Sequence, residues 1–306
     1  MGLFPRNLNE YVASMGIPRG PLSKTFLVDT VNGDDDNPGT SWQSPLKTLA
    51  AAEDLCTAER HDCVLWVPGD TADSVATTIT WDKDHTHLIG IGADFPGIGQ
   101  RCRLISTVAN PALTISARGC IFKNFQVQST YAGASGGVLV SGPYNYFENV
   151  YFNGMNNASS ANKSTSYCLS VTGAENFFKR CTIGSVQLAM SSTNAPLLIS
   201  NGANTFEECR IQHYSETAGN FLISLPAGTG GLSLVFFDRC VFFNQSVNWA
   251  AGSTDVFNIA QTGSHYVLLR DEIMIVATSW ADVVTHVYHT TAAPATGGGI
   301  AIAVNA

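Results

Sequence analysis

Apolar and polar positions along the chain recur as one short unit. Six segments share it: Ile121–Val127, Tyr146–Phe152, Phe177–Ile183, Thr205–Ile211, Phe236–Phe242 and, more loosely, Leu268–Arg270 running on to Ile273–Ile275. The anchors Phe122, Phe147, Phe178, Phe206, Phe237 and Leu269 lie 25, 31, 28, 31 and 32 residues apart. A second apolar strand precedes each anchor: Leu113–Ser116, Val138–Ser141, Cys168–Val171, Leu197–Ser200, Phe221–Ser224 and Val256–Ile259. Gly, Asn or Pro separates the two strands, as turns require. Two or three strands per repeat, with no 3.6-residue period between positions 110 and 275, cannot bury their apolar face alone and must stack on the next repeat. The pattern therefore predicts an all-β solenoid, a right-handed parallel β-helix. A β-sandwich is the alternative, but antiparallel strands do not require the same motif at the same place in every turn.

Strand alternation then assigns faces. The anchor Phe points inward, the next residue outward, and after a bend Val or Cys and then Ile or Phe point inward. Phe147, Phe178, Phe206 and Phe237 should form one inward stack, and Cys181, Cys209 and Cys240 another. The outward column reads Lys123, Glu148, Lys179, Glu207, Asp238, Arg270. Coils about 4.8 Å apart would pair most of these charges. That favours a register-fixing ladder, worth a few tenths of a kcal/mol per pair, over a carbohydrate-cleaving carboxylate set.

The ends read differently. Phe26–Asp29 is a strand, Asn32–Ser41 is turn-rich, and Pro45 followed by good helix formers predicts a helix near 45–55. Cys63–Gly69 and His87–Gly92 are further strands. The expected organisation is an N-terminal arm (1–25), a β-helix domain (26–289) and a C-terminal tail (290–306). Residues 1–24, with Pro5, Pro18 and Pro21, and the Ala/Gly/Thr-rich tail do not read as coils. Free arms are mobile unless pinned, so both are expected to grip a neighbouring subunit.

Val28-Asp29, Asn32-Gly33-Asp34, Asn37-Pro38-Gly39-Thr40 and Pro45-Leu46-Lys47-Thr48-Leu49 together resemble the opening of the pectate-lyase-like β-helix superfamily. The resemblance covers roughly residues 26 to 275 and implies a short helix capping the N-terminal end of the solenoid. That superfamily holds lyases, hydrolases, bacteriophage tailspikes and non-catalytic virion proteins, so it implies a fold rather than an activity.

Composition narrows the classes. The chain is 45% hydrophobic and only 13% charged, about half the usual charged share, which excludes disorder and a Glu/Lys-rich bundle. A net charge of −8 leaves no basic groove for nucleic acid. No apolar run is long enough to span a bilayer. Met1–Arg6 lacks the basic and apolar regions of a secretion signal, and Arg6 stands where a myristoylation site needs Ser or Thr. The eight cysteines are therefore read as reduced core thiols, and the lack of any CxxC argues against a zinc cluster.

Candidate chemistry is sparse. Glycoside hydrolysis needs two carboxylates about 5–9.5 Å apart. The repeats offer Glu148, Glu175, Glu207, Glu208, Glu216, Asp238, Asp255, Asp271 and Glu272; the adjacent pairs among them point to opposite faces unless a bend intervenes, and a pair assembled from separate coils stays open. The Asp34–Asp36 run lacks the spacing of an EF-hand and reads as a solvated turn. His85 and His87 share a strand face that would suit a metal, and His286 and His289 lie three apart, yet exposed histidines in such segments are more often surface hydrogen-bonders. No GxSxG elbow occurs, and Gly297–Gly299 lacks the Lys-Ser/Thr of a phosphate loop. No catalytic, cofactor-binding or metal-binding residue is assigned, and no cofactor is expected.

The expectation is a non-enzymatic bacteriophage virion structural protein. It would be a capsid decoration or cement protein, assembled in the host cytoplasm and attached to the shell as a homotrimer. The major capsid protein or another virion protein would be gripped through the terminal arms, with residues 1–24 carrying the contact. The alternative is a tail appendage, tailspike or polysaccharide lyase or hydrolase meeting host surface glycan in a groove lined by Tyr131, Tyr144, Tyr151, Tyr167 and Trp249. A secreted adhesin is a third reading, weakened by the missing signal.

Overall fold

A computed structural model describes residues 8–69, 72–92, 102–109, 111–133, 136–190, 194–215, 220–226, 233–246, 254–260, 265–277, 279–281 and 286–289. The tail 290–306, the first seven residues of the arm, Glu216 and Trp249 lie outside them. The strands form three wholly parallel sheets of ten, eight and eight strands, each visited once per coil. The chain is a right-handed parallel β-helix.

The first sheet holds the repeating motif. Phe122, Phe147, Phe178, Phe206, Phe237 and Leu269 occupy one register position from coil to coil. The five phenylalanines stack with centroids 5.0, 4.6, 4.6 and 5.0 Å apart, and all are fully buried. Cys181, Cys209 and Cys240 are buried beside them, and their neighbours push the Cys209 thiol well above its ordinary range after burial has done so first. The apolar strands that precede each anchor form the third sheet, in register from Leu113–Ile115 through Gly136–Val140, Tyr167–Val171 and Leu197–Ile199.

Two corners repeat in every central coil. Between the first and second sheets a single residue turns the chain through the left-handed region: Asn124, Asn149, Arg180, Glu208, Arg239 and Asp271, with φ between 49° and 60°. Such a conformation costs a non-glycine residue about 1–2 kcal/mol. Ladder hydrogen bonds hold it, as from the Asn149 amide to the Lys179 carbonyl (3.0 Å) and from Arg180 to Glu207 (2.9 Å). At the corner leading into the first sheet stands a column of buried asparagines. The Asn145 side-chain oxygen accepts from the Cys120 amide, that of Asn176 from Asn145, and that of Asn204 from Asn176, each at 2.9 Å.

Helix α2 (Leu49–Leu55) closes the N-terminal end, within the span expected from sequence. Thr48 caps it through a hydrogen bond from the Ala51 amide, and Leu49 and Ala52 join the core. Helix α1 (Leu8–Ser14) belongs to the arm. It packs on the outside of the first sheet, where Leu8, Val12 and Ile17 meet Leu27, Leu65 and Ile89. Helix α1 therefore spends its apolar side on the chain's own coils. The outward column is apolar (Leu27, Leu65, Ile89) beneath α1 and becomes charged from Lys123 onward.

Candidate functional site

Three surfaces carry chemistry-bearing side chains. The first is the outer face of the first sheet. Glu148 meets Lys123 at 2.9 Å and is also paired with Arg180. Glu207 meets Arg239 at 2.7 Å and Lys179 at 3.1 Å, and Asp238 meets Arg239 at 3.2 Å and Arg270 at 3.5 Å. Burial would push the Glu148 carboxyl up, but hydrogen bonds from Lys123 and Arg180 outweigh it and hold the group below its ordinary range. A general acid must keep a proton near neutral pH, and this environment does the reverse. The half-buried rings on this face stack like coins, Tyr146 on Phe177 at 5.8 Å and 18°. Lys123 sits over Tyr146 and Arg270 over Phe236, so these ring faces are occupied by each other and by cations.

The tyrosines expected to line a groove do not share a face. Tyr144 is exposed at the corner before the first sheet, and Tyr167 begins a strand of the third sheet with its ring over Gly136. Tyr131 lies in the turn before that sheet, packed on Gly133. Tyr151 is buried at 4% exposure.

The second surface is a histidine corner that joins His61 to the expected pair His85 and His87. His87 is buried and its Nδ1 accepts from the Ile121 amide at 3.1 Å. A neutral ring with a bare Nδ1 carries its proton on Nε2, which lies 3.2 Å from His61 Nδ1 and donates to it. Burial, reinforced by His61 and Arg19, lowers the His87 pKa to about 3. Both of its nitrogens are therefore engaged in hydrogen bonds, leaving no lone pair for a metal. His85 points its Nδ1 at Glu59 (2.7 Å), which also meets Arg118. Among the described residues no group of three His, Cys, Asp or Glu side chains has metal-holding geometry.

The third surface is the cap. Its aspartates divide into two sets. Asp29 accepts from the amides of Val31 and Asn32 at 2.9 and 3.0 Å, and Asp35 from those of Lys47 and Thr48 at 2.8 and 2.9 Å. Asp73, buried, accepts from the Leu49 amide. These carboxylates build the turns and fix the start of α2. Asp36 and Asp54 are exposed and make no ion pair among the described residues. With Lys24, Phe26, Leu46, Ala51 and Leu55 they line a cleft of about 740 Å³ between the Asp-rich loop and α2. Leu55, 45% exposed, lines it, and Leu22 (74%), Val31 (56%) and Trp42 (42%) are exposed elsewhere in the same N-terminal stretch of sequence. Sequence reasoning singled out the loop but missed the cleft, because its lining comes from three separated segments.

No family model matches the chain, and no curated protein matches it. Solved structures do resemble it. Pectin methylesterase from carrot superposes with a TM-score of 0.58 at 12% identity, over 93% of this chain and 88% of that one. Pectin methylesterase PemA from Erwinia chrysanthemi gives 0.56 at 15%, over 90% and 92%. A rhamnogalacturonan lyase gives 0.54 at 15%, over 90% and 75%. At such identities the likeness is one of fold, and by fold this chain is a right-handed parallel β-helix protein of the kind those polysaccharide-processing enzymes share.

Proposed function

We propose that this chain is a non-enzymatic structural component of a bacteriophage virion, a decoration or cement protein that attaches to the shell as an oligomer through its capped N-terminal end. The observation that carries the reading is the exposure of Leu22, Val31, Trp42 and Leu55 within the segment that leads into and includes the capping helix. Exposed apolar clusters of this kind mark contact surfaces. Support also comes from the long face, where all three carboxylates of the outward column are held by cations and serve the scaffold. Within residues 1–24, α1 packs on the chain's own coils, and the exposed Leu22 is the part of the arm offered for the attachment.

The test is co-sedimentation of the purified chain with phage shells that lack it. Leu22→Ser combined with Trp42→Ser should abolish binding while leaving the thermal melt unchanged. Retention of full binding by that variant would overturn the proposal. Mass spectrometry of intact particles adds the copy number: hundreds fit a capsid role and a handful a tail role.

A second reading, a polysaccharide-processing tail appendage, is supported by the fold shared with pectin methylesterases and a rhamnogalacturonan lyase. Release of reducing ends or unsaturated products from capsular polysaccharide would establish it.

A further inference from the structure

Three Asn-Gly pairs occur in the chain, at Asn32-Gly33, Asn153-Gly154 and Asn201-Gly202. Such a pair can react with itself, because a glycine has no Cβ to keep its backbone nitrogen away from the preceding side-chain amide. Whether it reacts depends on geometry, since an intramolecular attack is fast only when its atoms stand in near-attack positions. The fold gives the three pairs different surroundings.

At the first pair the Gly33 amide is engaged elsewhere, donating to the Asp29 carbonyl at 2.8 Å. The Asn32 side chain is held by the Asp29 carboxylate at 3.0 Å, and a Cβ on Gly33 would meet the Leu46 carbonyl at 2.1 Å. At the second pair Asn153 is 1% exposed, and a Cβ on Gly154 would meet the Gly137 nitrogen at 2.3 Å. Both pairs are fixed by packing. At the third, Asn201 is exposed, and its Oδ1 accepts from the Gly202 amide at 2.8 Å. Cγ is bonded to that oxygen, so the carbon to be attacked stands beside the attacking nitrogen. Nδ2 donates to the Thr172 carbonyl at 3.1 Å and steadies the side chain across the corner. The next residue, Ala203, has φ of 58°, so this corner already carries backbone strain.

We infer that Asn201 is a self-modification site of the native protein, converting to aspartate and isoaspartate while Asn32 and Asn153 persist. The Gly202 nitrogen bonds to Asn201 Cγ and gives up its proton. The Cγ–Nδ2 bond breaks and ammonia leaves with that proton, closing a succinimide ring. Water then opens the ring, at Cγ to give aspartate or at the main-chain carbonyl to give isoaspartate, in which Cβ joins the main chain. The step needs only water and is independent of where the chain attaches. The Asn201 carbonyl accepts from Asn204 Nδ2 at 3.0 Å, and Asn204 belongs to the buried asparagine column. Isoaspartate turns that carbonyl into a free carboxylate and so displaces an acceptor of the column.

The full-length chain is incubated in mildly alkaline buffer, folded or unfolded in urea. Mass spectrometry follows each Asn-Gly peptide, and labelling by an isoaspartyl methyltransferase counts isoaspartate. In the folded protein Asn201 should convert about tenfold faster than Asn32 or Asn153, and unfolding should bring the three rates together. Asn201→Gln should remove the fast methyl-accepting site. Conversion of Asn32 as fast as Asn201 in the folded protein, the same ranking after unfolding, or undiminished labelling of the glutamine variant would each overturn the inference.

Discussion

The carboxylates of the first sheet and those of the cap meet different neighbours. Glu148 lies between Lys123 and Arg180, and Glu207 between Lys179 and Arg239. Asp36 and Asp54 are exposed and line the cleft. A stack of coils needs its outward charges neutralised, because like charges about 4.8 Å apart in register would repel. The cap has no coil in front of it and is free of that demand. Internal complementarity thus marks scaffold in this fold, and the exposed cap acids are under no such constraint.

The sharpest way to break this comparison is through the inward stack. Phe178 lies between Phe147 and Phe206 at 4.6 Å from each. Phe178→Ala should cost about 3–5 kcal/mol in denaturant unfolding and leave shell co-sedimentation of the folded protein unchanged. Acid comes next. His87 and His213 are both buried, each with its pKa lowered to about 3, for His213 by burial alone. A lowered pKa means that the unfolded chain takes up protons first. Their contribution is therefore whole above about pH 6.5 and is lost at about 1.4 kcal/mol per pH unit per histidine as pH falls toward 3. Urea midpoints measured from pH 7.5 down to 4.5 should decline, and His213→Leu should flatten the decline.

A third experiment addresses the asparagine column. Asn176 accepts from the Asn145 amide, and its own amide donates to Asn204. Asn176→Ala leaves a buried amide unpaired and should cost about 1–3 kcal/mol. The smallest effect is expected on the surface. Glu148→Gln should cost less than about 1 kcal/mol, with the loss shrinking in high salt. Asp36→Asn with Asp54→Asn should change stability by no more than that, since neither carboxylate forms an ion pair among the described residues. A large stability loss in this last variant would show that the cap acids are scaffold after all.

The central coils were legible in sequence because one side of the first sheet faces the core and the other faces water. Inward Phe and Cys and outward Lys and Glu therefore repeat at fixed places. The first coils were harder to see. Thr25–Val28, Cys63–Trp66 and His87–Gly90 are buried on both faces, because α1 covers the outside, so the charged member of the motif is missing there. Those unbroken apolar runs were the available signal that something packs on the outer face. The asparagine column was also readable, since Asn145, Asn176 and Asn204 each stand two residues before an anchor phenylalanine. The cleft was not, because nothing in the spacing of Phe26, Asp36, Leu46 and Asp54 states that a loop and a short helix will leave room between them.

The one-residue bend has a consequence for how the chain tolerates change in length. In the five central coils first-sheet strands end and second-sheet strands begin at a constant interval: Lys123 to Gln126, Glu148 to Tyr151, Lys179 to Thr182, Glu207 to Arg210 and Asp238 to Val241. The corner between the second and third sheets varies widely, from Ser129 to Gly136, Asn153 to Tyr167, Ile183 to Leu197 and Ser215 to Asn220. An added residue at the first corner would turn every inward Cys or Val of that coil outward, whereas at the second corner it only lengthens a loop. Foreign peptides can therefore be displayed from the second corner, coil after coil, without changing the pitch of the rod.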